Sequence, residues 1–213
     1  MTFYSPPFWL RMIYPKGLVW RIPTDKPEIF LTFDDGPIPE VTPLVLNILK
    51  KYNVKATFFC VGDNVQKHPD VFDALISEGH AIGNHTFHHV KAWKTSFTSY
   101  IAEVEQSNQL IKSRLFRPPH GQITWKLARK LKKEYRIIMW SVLTGDYDKK
   151  LSGEQCLANA IKYTSSGAVI VFHDSIKARE RLEFALSKYI EYCLAKGYSF
   201  GILEQYQHQT GRF

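Results

Sequence analysis

Cysteine is scarce: the chain of 213 residues contains 3, Cys60, Cys156 and Cys193. They are odd in number, far apart and set in apolar or helical patterns. That excludes a disulfide framework or a cysteine zinc cluster and predicts buried thiols. Gly/Ser linkers, low-complexity runs and internal repeats are also missing, which leaves one domain as the simplest organisation. No apolar run reaches the roughly 20 residues that a membrane-spanning helix takes. The start, Met1 to Trp20, carries the apolar patches Phe8-Trp9-Leu10 and Met12-Ile13-Tyr14, but Arg11 and prolines interrupt them. It lacks the basic start, apolar stretch and small-residue cleavage site of a secretion signal. As given, the chain is expected to be cytoplasmic or peripheral to a membrane, held there through those aromatics.

Acidic residues are outnumbered, 20 against 28 Lys and Arg, for a net charge of +8. Such an excess suits nucleic acid, an anionic envelope polymer or a membrane surface. No nucleic-acid-binding module is visible, so basic runs such as Arg129-Lys130-Leu131-Lys132-Lys133 read as a solvated helix face. Apolar residues make up 45% and aromatics 14%, enough for a sizeable core. Residues 1–28 are expected to be an N-terminal extension packing on a catalytic domain of residues 29–213.

Strand and helix patterns alternate along the chain. Ile29-Phe30-Leu31 is an apolar strand, Glu40 to Tyr52 has helical spacing, and Ala56 to Val61 is a buried strand. A helix Val71 to Ser77, a short strand His80 to Asn84, a long helix Ser99 to Leu115 and a helix Lys126 to Lys133 follow. Arg136 to Leu143 reads as one strand, Glu154 to Tyr163 as a helix and Ala168 to Phe172 as a strand. Arg179 to Ala195 is helical, and Tyr198 to Leu203 is a closing strand. The alternation predicts an α/β fold of parallel strands with crossover helices. We expect a single-domain distorted (β/α) barrel of about seven parallel strands, with a doubly wound open sheet as the alternative.

Titratable residues gather just after the strands: Asp34, Asp35, His85, His89, Arg117, Asp146 and His173. In parallel α/β folds those ends share one face. Asp34-Asp35-Gly36-Pro37 is good turn chemistry in itself, but adjacent carboxylates can also divide labour, one holding a metal while the other moves a proton. His85 and His89, four apart, could aim both imidazoles at one point from a helical turn or a tight loop. With Asp35 as third ligand they would leave open positions, the pattern of a catalytic zinc site; His88 is read as a non-ligand. Asn84-His85-Thr86 matches a glycosylation acceptor only by overlap with that pair. Trp93, Trp125 and Trp140 are candidates for stacking on sugars or for the core, and Asp174 for orienting a neighbour or capping a turn.

Between Ile29 and Leu203 the chain resembles the polysaccharide deacetylase family, carbohydrate esterase family four. The resemblance rests on TFDDGP at Thr32 to Pro37 and HTFHH at His85 to His89, supported by KATFFCVG at Lys55 to Gly62 and GHAIGNH at Gly79 to His85. It implies that Asp35, His85 and His89 hold one divalent metal ion, usually zinc, and that Asp34 is the general base. Arg117, opening RPPHG, would hold Asp34, and the backbone N–H of His120 would donate to the oxyanion. His173 would be the general acid, oriented by Asp146. The family usually has Tyr at His120, Asp at Leu143 and Trp at Tyr147, so the sugar-binding wall is expected to differ. The implied activity is release of acetate from an N-acetylated amino sugar in peptidoglycan, a chitin-like polymer or another envelope glycan. The alternatives are hydrolysis of a small non-sugar amide and a catalytically silent glycan-binding module. Oligomeric state and glycan identity are not legible.

Overall fold

The 7 residues Glu28–Asp34 form strand β1, at the middle of the sheet in the computed structural model, which describes residues 4–203. All but Glu28 are buried, as expected of a parallel strand covered on both faces. Alternate residues divide the work: Ile29, Leu31 and Phe33 pack outward with helix residues such as Leu182, Leu186 and Tyr189. Phe30 points the other way, joining Phe59, Leu115, Ile138 and Val169 inside the curl.

On one side of β1 lie β2 (Thr57–Cys60), β3 (Ala81–Asn84), β4 (Leu115–Phe116) and β5 (Arg136–Ile137); on the other lie β7 (Val169–His173) and β6 (Val142–Leu143), all paired in parallel. The short β8 (Ser199–Phe200) pairs with the start of β1. β5 and β6 are the two ends of the path β5-β4-β3-β2-β1-β7-β6, yet only residues 138–141 connect them. Such a stretch reaches roughly 14 Å, so the sheet has to curl until its edges nearly meet. The result is the distorted barrel of seven parallel strands, not an open doubly wound sheet.

The N-terminal segment fills the remaining seam. Val19 N–H donates to Ile137 O (2.9 Å), Met139 N–H to Val19 O (2.7 Å), Ile22 N–H to Gly167 O (2.9 Å) and Leu143 N–H to Tyr4 O (2.7 Å).

Eight helices are described: α1 (Phe8–Ile13), α2 (Thr42–Lys51), α3 (Gly62–Lys67), α4 (Pro69–Ser77), α5 (Phe97–Ile111), α6 (Trp125–Leu131), α7 (Gly153–Tyr163) and α8 (Arg179–Ala195). Local chemistry sets several starts: Ser96 and Thr124 cap α5 and α6, and Ser152 with Gln155 forms a reciprocal capping box on α7. Two expectations need correction. The strand expected over Arg136 to Leu143 is two strands at opposite edges, because the chain must cross the seam between them. The helix expected to run to Leu115 stops at Ile111, where Lys112 turns left-handed (φ 52°) and Leu115 joins the sheet. Helix α3 was not anticipated, whereas the opening strand ends at the first of the two carboxylates, Asp34, as expected. The three cysteines are free and buried. No helix among the described residues is long and apolar enough to cross a membrane.

Candidate active site

The carboxyl ends of the strands open into a cavity of about 380 Å³ lined by Asp34, Asp35, His85, His89, His120 and His173, with Gly121, Trp140, Leu143, Tyr147, Val171 and Lys177 completing the wall. Asp34 ends β1 and is the direct register partner of His173, which ends β7. In a strand the next side chain would face away. Asp35 breaks that alternation with a φ of 85°, and both carboxylates line the same cavity. The turn is held by Asn64 Nδ2 donating to Asp35 O (2.8 Å) and Val61 N–H to Gly36 O (2.9 Å).

Arg117, fully buried just past β4, reaches through the barrel interior to Asp34. Its Nη1 donates to Asp34 Oδ1 (2.6 Å) and Thr32 Oγ1 (2.8 Å), its Nη2 to Met139 O (3.1 Å) and its Nε to Ile138 O (3.3 Å). The guanidinium lies 4.1 Å from the centre of the Phe59 ring. A buried arginine is tolerated only with its donors and charge satisfied, and here β1 supplies both through the inward-facing pair Thr32 and Asp34.

His85 and His89 leave β3 in a tight loop, not a helix. Asn84 Oδ1 accepts from Thr86 N–H (2.9 Å), and Thr86 and His89 adopt positive φ of 63° and 54°. His89 Nε2 lies 3.3 Å and His85 Nε2 3.9 Å from Asp35 Oδ1. One donor atom from each of the three residues falls within 4.8 Å of the others. His85 Nδ1 is 2.7 Å from Arg117 O, which can only accept, so Nδ1 carries the proton and Nε2 keeps its lone pair. Burial, followed by the charge of His89, holds the His85 imidazole well below its usual value and therefore neutral. Two imidazole nitrogens and a carboxylate oxygen, with one ring oriented from behind by a carbonyl, suit a divalent cation of the zinc type. His88 turns outward, its Nδ1 2.8 Å from Glu103 Oε1.

Across the cavity, His173 Nδ1 lies 2.8 Å from Asp146 Oδ1, while Asp146 Oδ2 accepts from the His173 backbone N–H (2.7 Å). Burial alone would lower the His173 imidazole. The charge and hydrogen bond of fully buried Asp146, with Asp35 and Asp34 adding, raise it instead from 6.5 to about 9. His173 is thus an imidazolium at neutral pH, with Nε2 as its remaining donor. Asp174 acts in support: its carboxylate accepts from Gly36 N–H (3.0 Å) and Thr42 Oγ1–H (2.6 Å), tying the loop after β7 to the DDGP turn.

A family model described as polysaccharide deacetylase matches residues 21–137. The chain belongs to this family. A peptidoglycan-N-acetylglucosamine deacetylase of Bacillus cereus is 33% identical over 194 residues, covering 87% of this chain and 91% of the relative. A second Bacillus cereus deacetylase of that name is longer; the chain spans 58% of it, at 36% identity. Among solved structures, the Bc1960 peptidoglycan N-acetylglucosamine deacetylase superposes with a TM-score of 0.86 at 32% identity, covering 93% of this chain and 95% of that one. A pseudoenzyme of the same family, BA3943 from Bacillus anthracis, also superposes, with a TM-score of 0.78 at 26% identity over 92% of this chain and 70% of its own. Family membership and activity are therefore separable, and the side chains have to carry the functional argument.

Within the polysaccharide deacetylase fold, the wall around His120 and Trp140 is built with help from the N-terminal segment. His120 sits at φ 57° in the 3-10 turn Pro119–Gly121, its ring 4.5 Å from that of His89. Tyr14 Oη–H donates to Gly121 O (3.0 Å), and Trp20 packs edge-on against both Tyr14 (5.2 Å) and Trp140 (6.4 Å). Of the three tryptophans singled out in the sequence, Trp140 lines the cavity, whereas Trp93 and Trp125 are exposed. Asn84 is buried with its Nδ2 bonded to Val104 O (2.9 Å), which removes the glycosylation reading. Sequence reasoning missed Lys177, although its place four residues after the strand-end His173 is a usable signal, and Gly121, whose signal is the glycine closing RPPHG.

Proposed function

We propose that this chain is a metal-dependent deacetylase that removes the N-acetyl group from an amino sugar of a poly- or oligosaccharide, peptidoglycan or chitin-like, releasing acetate. The observation that carries this reading is the division of the two adjacent carboxylates. Asp35 faces two imidazole nitrogens, while Asp34 stands apart from that set, fixed by Arg117 at 2.6 Å and adjacent in register to His173.

Asp35, His85 and His89 would hold the cation, which when bound polarises the acetyl carbonyl and eases deprotonation of water. Asp34 takes the proton of the attacking water on the oxygen that Arg117 leaves free. The backbone N–H of His120, which donates to no protein group among the described residues, faces the negative charge that develops on the carbonyl oxygen. As the carbon–nitrogen bond breaks, His173 delivers its proton to the leaving amine, and Asp146 keeps that proton available at neutral pH. The family relatives, named for deacetylation of peptidoglycan amino sugars, support the substrate class.

The test is acetate release from a panel of N-acetylated oligosaccharides, with chelator and after zinc is restored. Chelator-sensitive acetate release that zinc rescues is expected. Sugar binding without acetate would establish a silent module, and acetate release only from small non-sugar amides would redirect the substrate assignment.

A further inference from the structure

Charge around the cavity leaves one cation over. Asp34 is paired with Arg117 (2.6 Å), Asp146 with His173 (2.8 Å), and Asp35 faces the two histidine nitrogens of the proposed cation site. Lys177 lines the same cavity and has no carboxylate partner among the described residues. The Lys177 side chain is exposed, but the backbone that carries it is fixed. Its carbonyl accepts from Arg181 Nη2, and Arg181 Nε donates to Asp146 O (2.7 Å), so the backbone that carries Lys177 is tied to the residue that holds His173. The Lys177 ammonium lies 5.6 Å from the centre of the Tyr147 ring, and that ring stands at 71° against the His173 imidazole with centroids 5.0 Å apart. The ammonium therefore stands one aromatic ring away from the group that would protonate the leaving amine.

We propose that Lys177 and Tyr147 form a subsite for a carboxylate that the glycan carries close to the N-acetyl group being cleaved. The proposal rests on the deacetylase reading and narrows its substrate to acidic glycans. Tyr147 offers an apolar face to the sugar ring, and the unpaired ammonium beside it compensates an anion that a neutral chitin-like chain lacks. Two glycan chemistries supply such a group: the lactyl ether of a muramic acid and the ring carboxylate of a uronic acid.

The experiment uses the zinc-loaded full chain and four tetrasaccharides: N-acetylglucosamine alone, N-acetylglucosamine alternating with N-acetylmuramic acid, the methyl ester of the latter, and N-acetylglucosamine alternating with glucuronic acid. The wild type is expected to favour one acid form over both the ester and the neutral chain, and the preferred acid identifies the source. In Lys177→Met the ratio of kcat/KM for that acid to kcat/KM for the neutral chain falls about fivefold, the upper range for a partly exposed ion pair. Lys177→Arg keeps the ratio, and added salt narrows it in the wild type but not in Lys177→Met. An unchanged ratio in Lys177→Met, or an ester as good as its acid, overturns the subsite. Absence of acetate from all four would instead overturn the deacetylase reading; calorimetric affinities for acid and ester, in wild type and Lys177→Met, then decide the subsite by themselves. Equal affinities refute it.

Discussion

Replacing Asp146 with Asn tests the acid half of the proposed chemistry. Asp146 is fully buried and uses both carboxylate oxygens on His173, one on Nδ1 and one on the backbone N–H. Asn offers a single accepting oxygen, so while Nδ1 carries its proton the NH2 group must face one of those two donors, at a cost of about 1–3 kcal/mol. The larger effect is electrostatic. Burial opposes the imidazolium, and without the charge and hydrogen bond of Asp146 only the more weakly acting Asp35 and Asp34 support it, so the His173 pKa falls from about 9. At pH 8 the wild-type imidazole is roughly 90% protonated, and the variant's protonated fraction is lower.

The assay is kcat for acetate release across pH. Wild type should lose activity on the alkaline side as pH rises towards 9, and a bound dication moves that limb lower without changing the sign of the mutational shift. In Asp146→Asn the limb moves by more than one pH unit towards acid, so the variant is about tenfold or more impaired at pH 8 and less impaired at pH 6. A uniform loss with an unchanged limb would refute the idea that Asp146 acts through the proton of His173. Stability has its own signature: because the folded-state pKa of His173 is raised, the Asp146–His173 pair contributes fully below pH 6.5 and is lost as pH climbs through about 9. The gap in Tm between wild type and Asp146→Asn should close over that window.

Arg117→Met leaves Asp34 buried without its counter-charge and should cost about 3–5 kcal/mol in urea unfolding, together with turnover; stability within 1 kcal/mol of wild type would refute the buried-pair account. Asp34→Asn should retain zinc by elemental analysis while losing about 10²-fold or more in kcat, whereas Asp35→Ala and His85→Ala should lose zinc as well. Retention of stoichiometric zinc in both of those variants would remove the proposed cation site. Gly121→Ala forces a left-handed residue (φ 67°) and drives the new methyl group into the Trp140 ring. It should destabilise by about 1–3 kcal/mol and raise KM, and an unaltered KM would mean Trp140 is not part of the substrate wall.

Much of the site could be read from sequence because its parts are contiguous. TFDDGP and HTFHH each place two cavity-lining side chains within a few residues of one strand end, and a parallel α/β fold sends all such ends to one face. Contact between motifs came only as what the family resemblance implied, not from the residue pattern itself. Asp34 and His173 are neighbours through the β1–β7 register, over an interval of sequence that carries no local trace of it. The split of residues 136–143 into two edge strands escaped for a similar reason: the segment is largely apolar and β-rich, and only closure of the barrel dictates that Ile138 to Ser141 leave one edge for the other.

Arg117 makes the same point for the site. In sequence an arginine before two prolines is ambiguous between surface and interior. In the fold it sits inside the barrel because Thr32 and Asp34, two apart on β1, turn a hydroxyl and a carboxylate to the same side, and because the carbonyls of Ile138 and Met139 at the seam accept its other protons. The seam carbonyls exist only where the chain crosses from β5 to β6, and Val19 of the N-terminal segment pairs with that crossing. The residue that fixes the proposed base is thus held by barrel closure itself. Damage to the seam at Val19, Ile138 or Met139 should therefore reach Asp34 without touching any residue that lines the cavity.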